Sequence, residues 1–225
     1  MQMKEMNRMK SEGVCRLCGK SFSGSSMTKH LQSCIQKNAP EPKKTNGNIF
    51  LIKAGAGPFW VYFEVNDSSK LEEIDHFLRD LWLECCGHMS SFTIGSVDYL
   101  SDTEFMDSGE KNMNITLKKV LVPGLEFRHE YDFGSTTELD LKCISIRQGK
   151  LDEIKILARN NMPEVLCDKC GKPAVSICTE CVWEDEGFLC ESCAEKHECE
   201  EEMFLPVVNS PRMGVCAYEG SDFDS

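Results

Sequence analysis

Apolar residues recur with two different periods between Asn48 and Gln148. Ile49–Ala54 and Phe59–Val65 are β-rich runs split by Gly55-Ala-Gly57-Pro58, which predicts a hairpin or bulged turn. From Ser69 to Cys85 the spacing changes: Leu71, Ile74, Leu78, Leu81, Trp82 and Cys85 recur at three and four, the stripe of an amphipathic helix. Ser68 or Ser69 is placed to cap it, with Glu72 and Glu73 favoured in its first turn. Phe92, Ile94 and Tyr99 suggest a further strand, and Asn114–Leu121 a short helix stopped by Pro123-Gly124. Phe127–Phe133 and Glu138–Ile146 alternate around Gly134-Ser-Thr-Thr137, a second hairpin. A helix packed on one face of a mainly antiparallel sheet buries this set, so the expected class is α+β.

Outside that stretch neither period holds, and cysteine takes over. Hydrophobic residues make up 41% of the chain, enough for a core, with no apolar run long enough for a membrane span. The first ten residues lack a secretory apolar stretch, so a cytoplasmic protein is expected. In a reducing compartment fourteen cysteines point to metal ligands more than to disulfides. Three lie at 15–34 and eight at 167–216, leaving Cys85, Cys86 and Cys143 between. The pattern predicts a tail and ββα zinc finger over 1–36, a linker over 37–47 and the α+β domain over 48–160. A double-zinc domain over 161–216 and an acidic, disordered tail over 217–225 complete it: two small zinc-stabilised modules flanking a conventional body.

In the first module Cys15-Arg-Leu-Cys18 is followed by His30 and Cys34. A Cys-x2-Cys knuckle grips one side of a tetrahedral zinc, and two ligands four apart share a helix face and close the other side. Phe22 and Met27 are placed to form the minimal core. The arrangement resembles the two-cysteine zinc finger, with Cys34 where the second histidine usually sits. The positions that would face a DNA groove hold Ser23, Ser26 and Lys29, which lack the forked side chains that read bases. Backbone contact through Arg16, Lys20, Lys29 and Lys37 is the nucleic-acid reading, and a protein-docking finger its rival.

The middle domain carries Leu121-Val-Pro-Gly124 followed by Phe127-Arg-His-Glu-Tyr-Asp-Phe-Gly134, after a helix trailed by His88, Phe92, Ile94 and Tyr99. Over roughly 48–150 this resembles the plasmid pRiA4b Orf-three-like family, some of whose members accompany mobile genetic elements. The resemblance implies an α+β fold and no established activity. Ser135, Thr136 and Thr137 stand where the family usually has an acidic residue and a tryptophan.

Cys167-Asp-Lys-Cys170, Cys178-Thr-Glu-Cys181 and Cys190-Glu-Ser-Cys193 are three further knuckles, followed by His197 and Cys199. Their order resembles cross-brace zinc modules such as B-box and MYND domains. That resemblance implies one zinc held by Cys167, Cys170, Cys190 and Cys193, and a second by Cys178, Cys181, His197 and a further thiolate, either Cys199 or Cys216. Three zinc ions are expected in all; an iron–sulfur cluster is disfavoured by His197 and by the alternating order. Val182, Trp183 and Phe188 are expected to fill the small core.

Charge separates the ends. Residues 1–47 carry nine cations against Glu5, Glu12 and Glu41, a net +6, which leaves −18 on the remainder of a chain whose total is −12. A basic arm on an acidic body predicts an anionic partner for the arm. The acids Glu184-Asp-Glu186, Glu198 and Glu200–Glu202 make the C-terminal domain a candidate protein-docking surface. Catalysis has few candidates: Cys85, Cys86, His88, His129 and Asp132, with His129 and Asp132 on opposite strand faces. The reading is a non-enzymatic, zinc-binding interaction protein, its finger on nucleic acid and its acidic domain on a protein partner. The alternatives are a protein-only adaptor and a thiol enzyme using Cys85/Cys86.

Overall fold

A computed structural model of the chain describes residues 11–38, 47–102, 104, 107–221 and 223. The methionine-rich start and most of the expected linker lie outside the described residues. The chain opens with β1 (Glu12–Cys15), β2 (Ser21–Ser23) and α1 (Gly24–Asn38), then the hairpin β3 (Asn48–Ala56) and β4 (Phe59–Asn66). Helix α2 (Leu71–Leu78) runs into a π-helical turn, Arg79–Leu83, followed by β5 (Ser90–Ile94), β6 (Val97–Leu100) and β7 (Lys111–Asn112). The hairpin β8 (Glu126–Tyr131) and β9 (Thr137–Gln148) precedes β10 (Lys155–Asn160). The C-terminal unit has β11 (Ser176–Cys178), β12 (Phe188–Leu189), a single helical turn α3 (Glu191–Ala194) and β13 (Phe204–Pro206).

Ten strands form one sheet in the order β2-β1-β10-β4-β3-β9-β8-β5-β6-β7, antiparallel except between β6 and β7. The last three strands form a small sheet, β12-β11-β13. The class is therefore α+β and mainly antiparallel, as the apolar periods predict.

Strands β3 and β4 are buried on both faces. Phe50, Ile52, Ala54, Val61, Phe63 and Val65 point to the side covered by α2, where Leu71, Ile74, Leu78, Leu81 and Trp82 meet them. The opposite face, with Leu51, Trp60, Tyr62 and Leu157, is covered by Met27, Leu31, Cys34 and Ile35 of α1. The finger is thus no separate module: β1 pairs with β10 and its helix roofs the central sheet. Close approach requires small residues, since a Cβ at Gly13 would fall on the Arg159 carbonyl and at Gly24 would lie 2.8 Å from Trp60 Nε1.

Several local expectations change. The helix starts after Lys70, whose N–H and the Ser69 hydroxyl are both accepted by the Glu73 carboxylate at 2.8 Å. Its regular part ends at Leu78. The π turn adds a residue per turn, and Glu84 is extended, so Cys85 lies past the helix, half-buried and still packed against the main core. The stretch 114–121 holds only a 3-10 turn, Leu117–Lys119, and its Leu117 and Leu121 are buried in the main core. Trp183 is 72% exposed, while Val182 and Phe188 are buried and join the main core rather than a separate one. The expected disordered tail is packed over its described residues: Tyr218 is buried and the Ser221 hydroxyl donates to Leu81 O at 3.0 Å. No helix among the described residues is long and apolar enough to cross a membrane.

Candidate metal centres

Cys15 closes β1 and Cys18 stands in the turn that follows. Gly19 has φ +72°, a conformation glycine adopts at little cost. Its N–H donates to Cys15 O at 2.8 Å, and Cys15 N–H donates to Lys20 O at 2.9 Å. This knuckle aims both thiols at α1, where His30 and Cys34 lie one turn apart. Cys18 Sγ is 3.4 Å from His30 Nε2, and Cys15 Sγ is 3.9 Å from Cys34 Sγ. Phe22 stacks on the His30 ring with centroids 4.0 Å apart, which fixes the ring plane.

The same knuckle recurs at Cys167–Lys172. Gly171 has φ +71° and donates to Cys167 O at 2.9 Å, while Cys167 N–H donates to Lys172 O at 2.7 Å. Cys190 and Cys193 flank the start of α3, bringing Cys170 Sγ to 3.5 Å from Cys190 and 3.7 Å from Cys193. Cys178 at the end of β11 and Cys181 in the following 3-10 turn gather with His197 and Cys199. There Cys181 Sγ lies 3.4 Å from His197 Nε2 and 3.6 Å from Cys199 Sγ. The first and third cysteine pairs share one cluster and the second and fourth the other. Cys199, not Cys216, joins the second.

Cys216 is elsewhere. It meets Cys85, Cys86 and His88 in a fourth cluster that the spacing of the sequence does not announce. Cys216 Sγ is 3.6 Å from Cys86 Sγ and 3.5 Å from His88 Nε2. In each of the four clusters the ligand atoms lie within 4.8 Å of one another. A tetrahedral zinc with ordinary bond lengths sets sulfurs about 3.8 Å apart and sulfur and nitrogen about 3.6 Å apart. The separations above lie close to those values, the sulfur–nitrogen ones a little short of them, so thiolate and imidazole sets of this shape are compatible with zinc. Local hydrogen bonds favour the anion at Cys18, Cys167, Cys190 and Cys216 even without a metal. Cys190 is held down to about 6, with the Ser192 hydroxyl foremost, and Cys216 to about 7, with His88 foremost.

The other candidates disperse. His129 is buried against Asp75 rather than Asp132. Asp132 accepts from Arg212 at 2.6 Å and lies 3.7 Å from His88 Nε2. Arg16 and Lys20 sit on the first knuckle and Lys29 and Lys37 on α1, all exposed. Ser23 and Ser26 hydrogen-bond to each other at the helix start, 3.0 Å apart. The acids Glu184, Asp185, Glu186, Glu198, Glu200, Glu201 and Glu202 are all exposed, with Trp183 beside them.

No family model matches the chain, and no curated protein does. Among solved structures, the crystal structure of a protein of unknown function, MM3350 from Methanosarcina mazei Go1, is similar. It has 16% identity and a TM-score of 0.42, covering 51% of this chain and 70% of that one.

Proposed function

We propose that this protein is a zinc-stabilised, non-enzymatic interaction protein, which contacts a nucleic-acid backbone through its finger and docks a protein partner on its acidic C-terminal unit. The observation that carries the reading is the closure of the finger cluster and the two C-terminal clusters. Each supplies four soft ligands at tetrahedral spacing, so a bound zinc keeps no position for water and serves the fold rather than Lewis-acid chemistry. The C-terminal sheet is three short strands whose Ile177, Phe188 and Leu205 join the main core, and metal would add to the folding energy that this packing supplies.

Support for the nucleic-acid half is electrostatic. Docking α1 on the sheet consumes its apolar face and leaves Arg16, Lys20, Lys29 and Lys37 exposed on the basic end of an acidic protein. Support for the protein half is the exposed Trp183 followed by Glu184, Asp185 and Glu186, of which Glu186 pairs with Lys169, an aromatic anchor beside a mainly acidic rim. Its partner would be basic.

The test is binding of duplex and single-stranded DNA and RNA by the zinc-loaded full chain across a salt series. Removing residues 1–47 is unsuitable, because it would strip β1 from β10 and uncover Trp60 and Leu157. The variant is instead Arg16→Gln, Lys20→Gln, Lys29→Gln and Lys37→Gln combined. Each lost phosphate contact should flatten the dependence of log K on log salt by about 0.9 for duplex DNA. Absence of binding by the natural chain at low salt would overturn this half and leave the protein adaptor.

A further inference from the structure

We infer that Cys85, Cys86, His88 and Cys216 form a fourth zinc site, a clasp that pins the segment after β13 to the central domain. The inference rests on the zinc reading of the other three clusters and extends it to a set with no regular motif. Its edges, 3.6 Å between Cys86 and Cys216 sulfurs and 3.5 Å from Cys216 Sγ to His88 Nε2, match those of the other clusters. Three thiols from two distant segments, 130 residues apart, converge here with one imidazole nitrogen.

The site is built before any metal arrives. Residues that are not ligands hold the loop 84–88. The Glu84 carboxylate accepts from Arg79 Nε at 2.8 Å and from Gly87 N–H at 2.6 Å, and Arg79 Nη2 donates to His88 O at 2.8 Å. Gly87 follows Cys86 with φ +72°, the geometry of Gly19 after Cys18 and of Gly171 after Cys170. The π turn delivers this loop away from the helix stripe, so Cys85 and Cys86 both reach one point although they are adjacent.

The other half is set just as firmly. Ser210 Oγ donates to Trp82 O at 2.7 Å, and the fully buried Arg212 donates to Ser135 O, to Thr137 Oγ1 and to Asp132 Oδ2. Arg212 Nη2 also lies 3.4 Å from Cys85 Sγ. Arg212 thereby bridges the Asp132 carboxylate and Cys85, tying the loop 84–88 to the β8–β9 hairpin. Cys216 itself has φ +55°, an uncommon conformation for a side chain with a Cβ, which a bond from sulfur to metal would hold in place.

Native mass spectrometry of the zinc-loaded full chain tests the clasp by counting ions. The expected count is four. Cys86→Ser and Cys216→Ser should each carry three, and the double variant also three, because both residues serve one ion. Cys143→Ala, outside every cluster, should keep four. Hydrogen exchange over 209–218 should rise in the Cys216 variant while the finger keeps its protection. Three ions in the natural chain, unchanged by Cys216→Ser, would overturn the clasp and leave the other centres standing. So would a Cys86–Cys216 disulfide, seen as a mass lower by two hydrogens. No zinc at all would overturn the proposed function as well.

Discussion

His129 Nε2 and Asp75 Oδ1 lie 2.7 Å apart in the core, with the two side chains 0% and 2% exposed. Burial alone would raise the Asp75 carboxyl, but the His129 hydrogen bond and charge, with Arg79 at 3.5 Å, hold it below its ordinary 3.8. A depressed carboxylate contributes stability above its unfolded pKa and loses it as pH falls through the folded value. Stability owed to this pair should therefore be level above about pH 5 and fall away below pH 4. Asp75→Asn should cost about 3–5 kcal/mol at neutral pH, as when one partner of a buried pair is removed. The cost should shrink in acid; urea midpoints of both chains between pH 3 and 7 measure it. An equal cost at every pH would mean that the charge is not what Asp75 contributes.

Arg212 and Asp132 make the second buried pair, and there geometry matters as much as charge. The guanidinium uses both ends of its fork and lies 4.8 Å from the Tyr131 ring centroid. Arg212→Lys keeps the charge but reaches only part of this set. It should lose about 2 kcal/mol or more in thermal unfolding, as buried acceptors go unmet. Full stability in the lysine variant would show that the fork is dispensable.

Thiol chemistry should report the clusters directly. Cys143 is the one cysteine outside them, and burial pushes its thiol up to about 11. Zinc-loaded protein should react slowly with a thiol reagent at neutral pH. A strong chelator should release the thirteen clustered thiols, leaving Cys143 until the chain is unfolded. Mass mapping of alkylated sites reads the order, and early labelling of Cys143 would contradict its burial.

Gly13→Ala tests the docking of the finger. Its Cβ would meet Trp60 Cη2 at 2.6 Å and the Arg159 carbonyl oxygen, neither able to withdraw without parting β1 from β10. The variant should unfold about 2 kcal/mol or more earlier and show altered Trp60 fluorescence, with its zinc content intact. Unchanged emission and stability would mean the two layers are not held this tightly.

What the sequence reveals depends on how local each feature is. The hairpin β3–β4 is legible from two continuous apolar runs split by Gly55–Pro58, and β8–β9 from alternation on either side of its turn residues. The finger and C-terminal clusters are legible because two-residue spacings are a backbone requirement of the knuckle. The Cys85 cluster was hidden: its cysteines are adjacent, and its fourth member is more than a hundred residues away. Periodicity marked Ile74 and Leu78 as buried, yet it could not tell that Asp75 between them is buried too, against a histidine on another strand. Nor do edge pairings such as β1 with β10 leave a local trace, which is why the finger read as a free module. Trp183 read as core because it is aromatic, whereas it stands exposed in the 3-10 turn Cys181–Glu184 while its neighbour Val182 turns inward.

The pairing of β1 with β10 also fixes an order of events in time. Gly13 finds its partner Asn160 only after more than two-thirds of the chain has been made. Until then α1 can lean on the β3–β4 hairpin, through Leu51, Trp60 and Tyr62, but lacks the cover of Leu157 and Ala158. Closing so long a loop is slow, so metal capture by Cys15, Cys18, His30 and Cys34 would precede docking. The nascent chain would thus carry a half-docked finger through most of its synthesis, the interval in which a chaperone has most to hold.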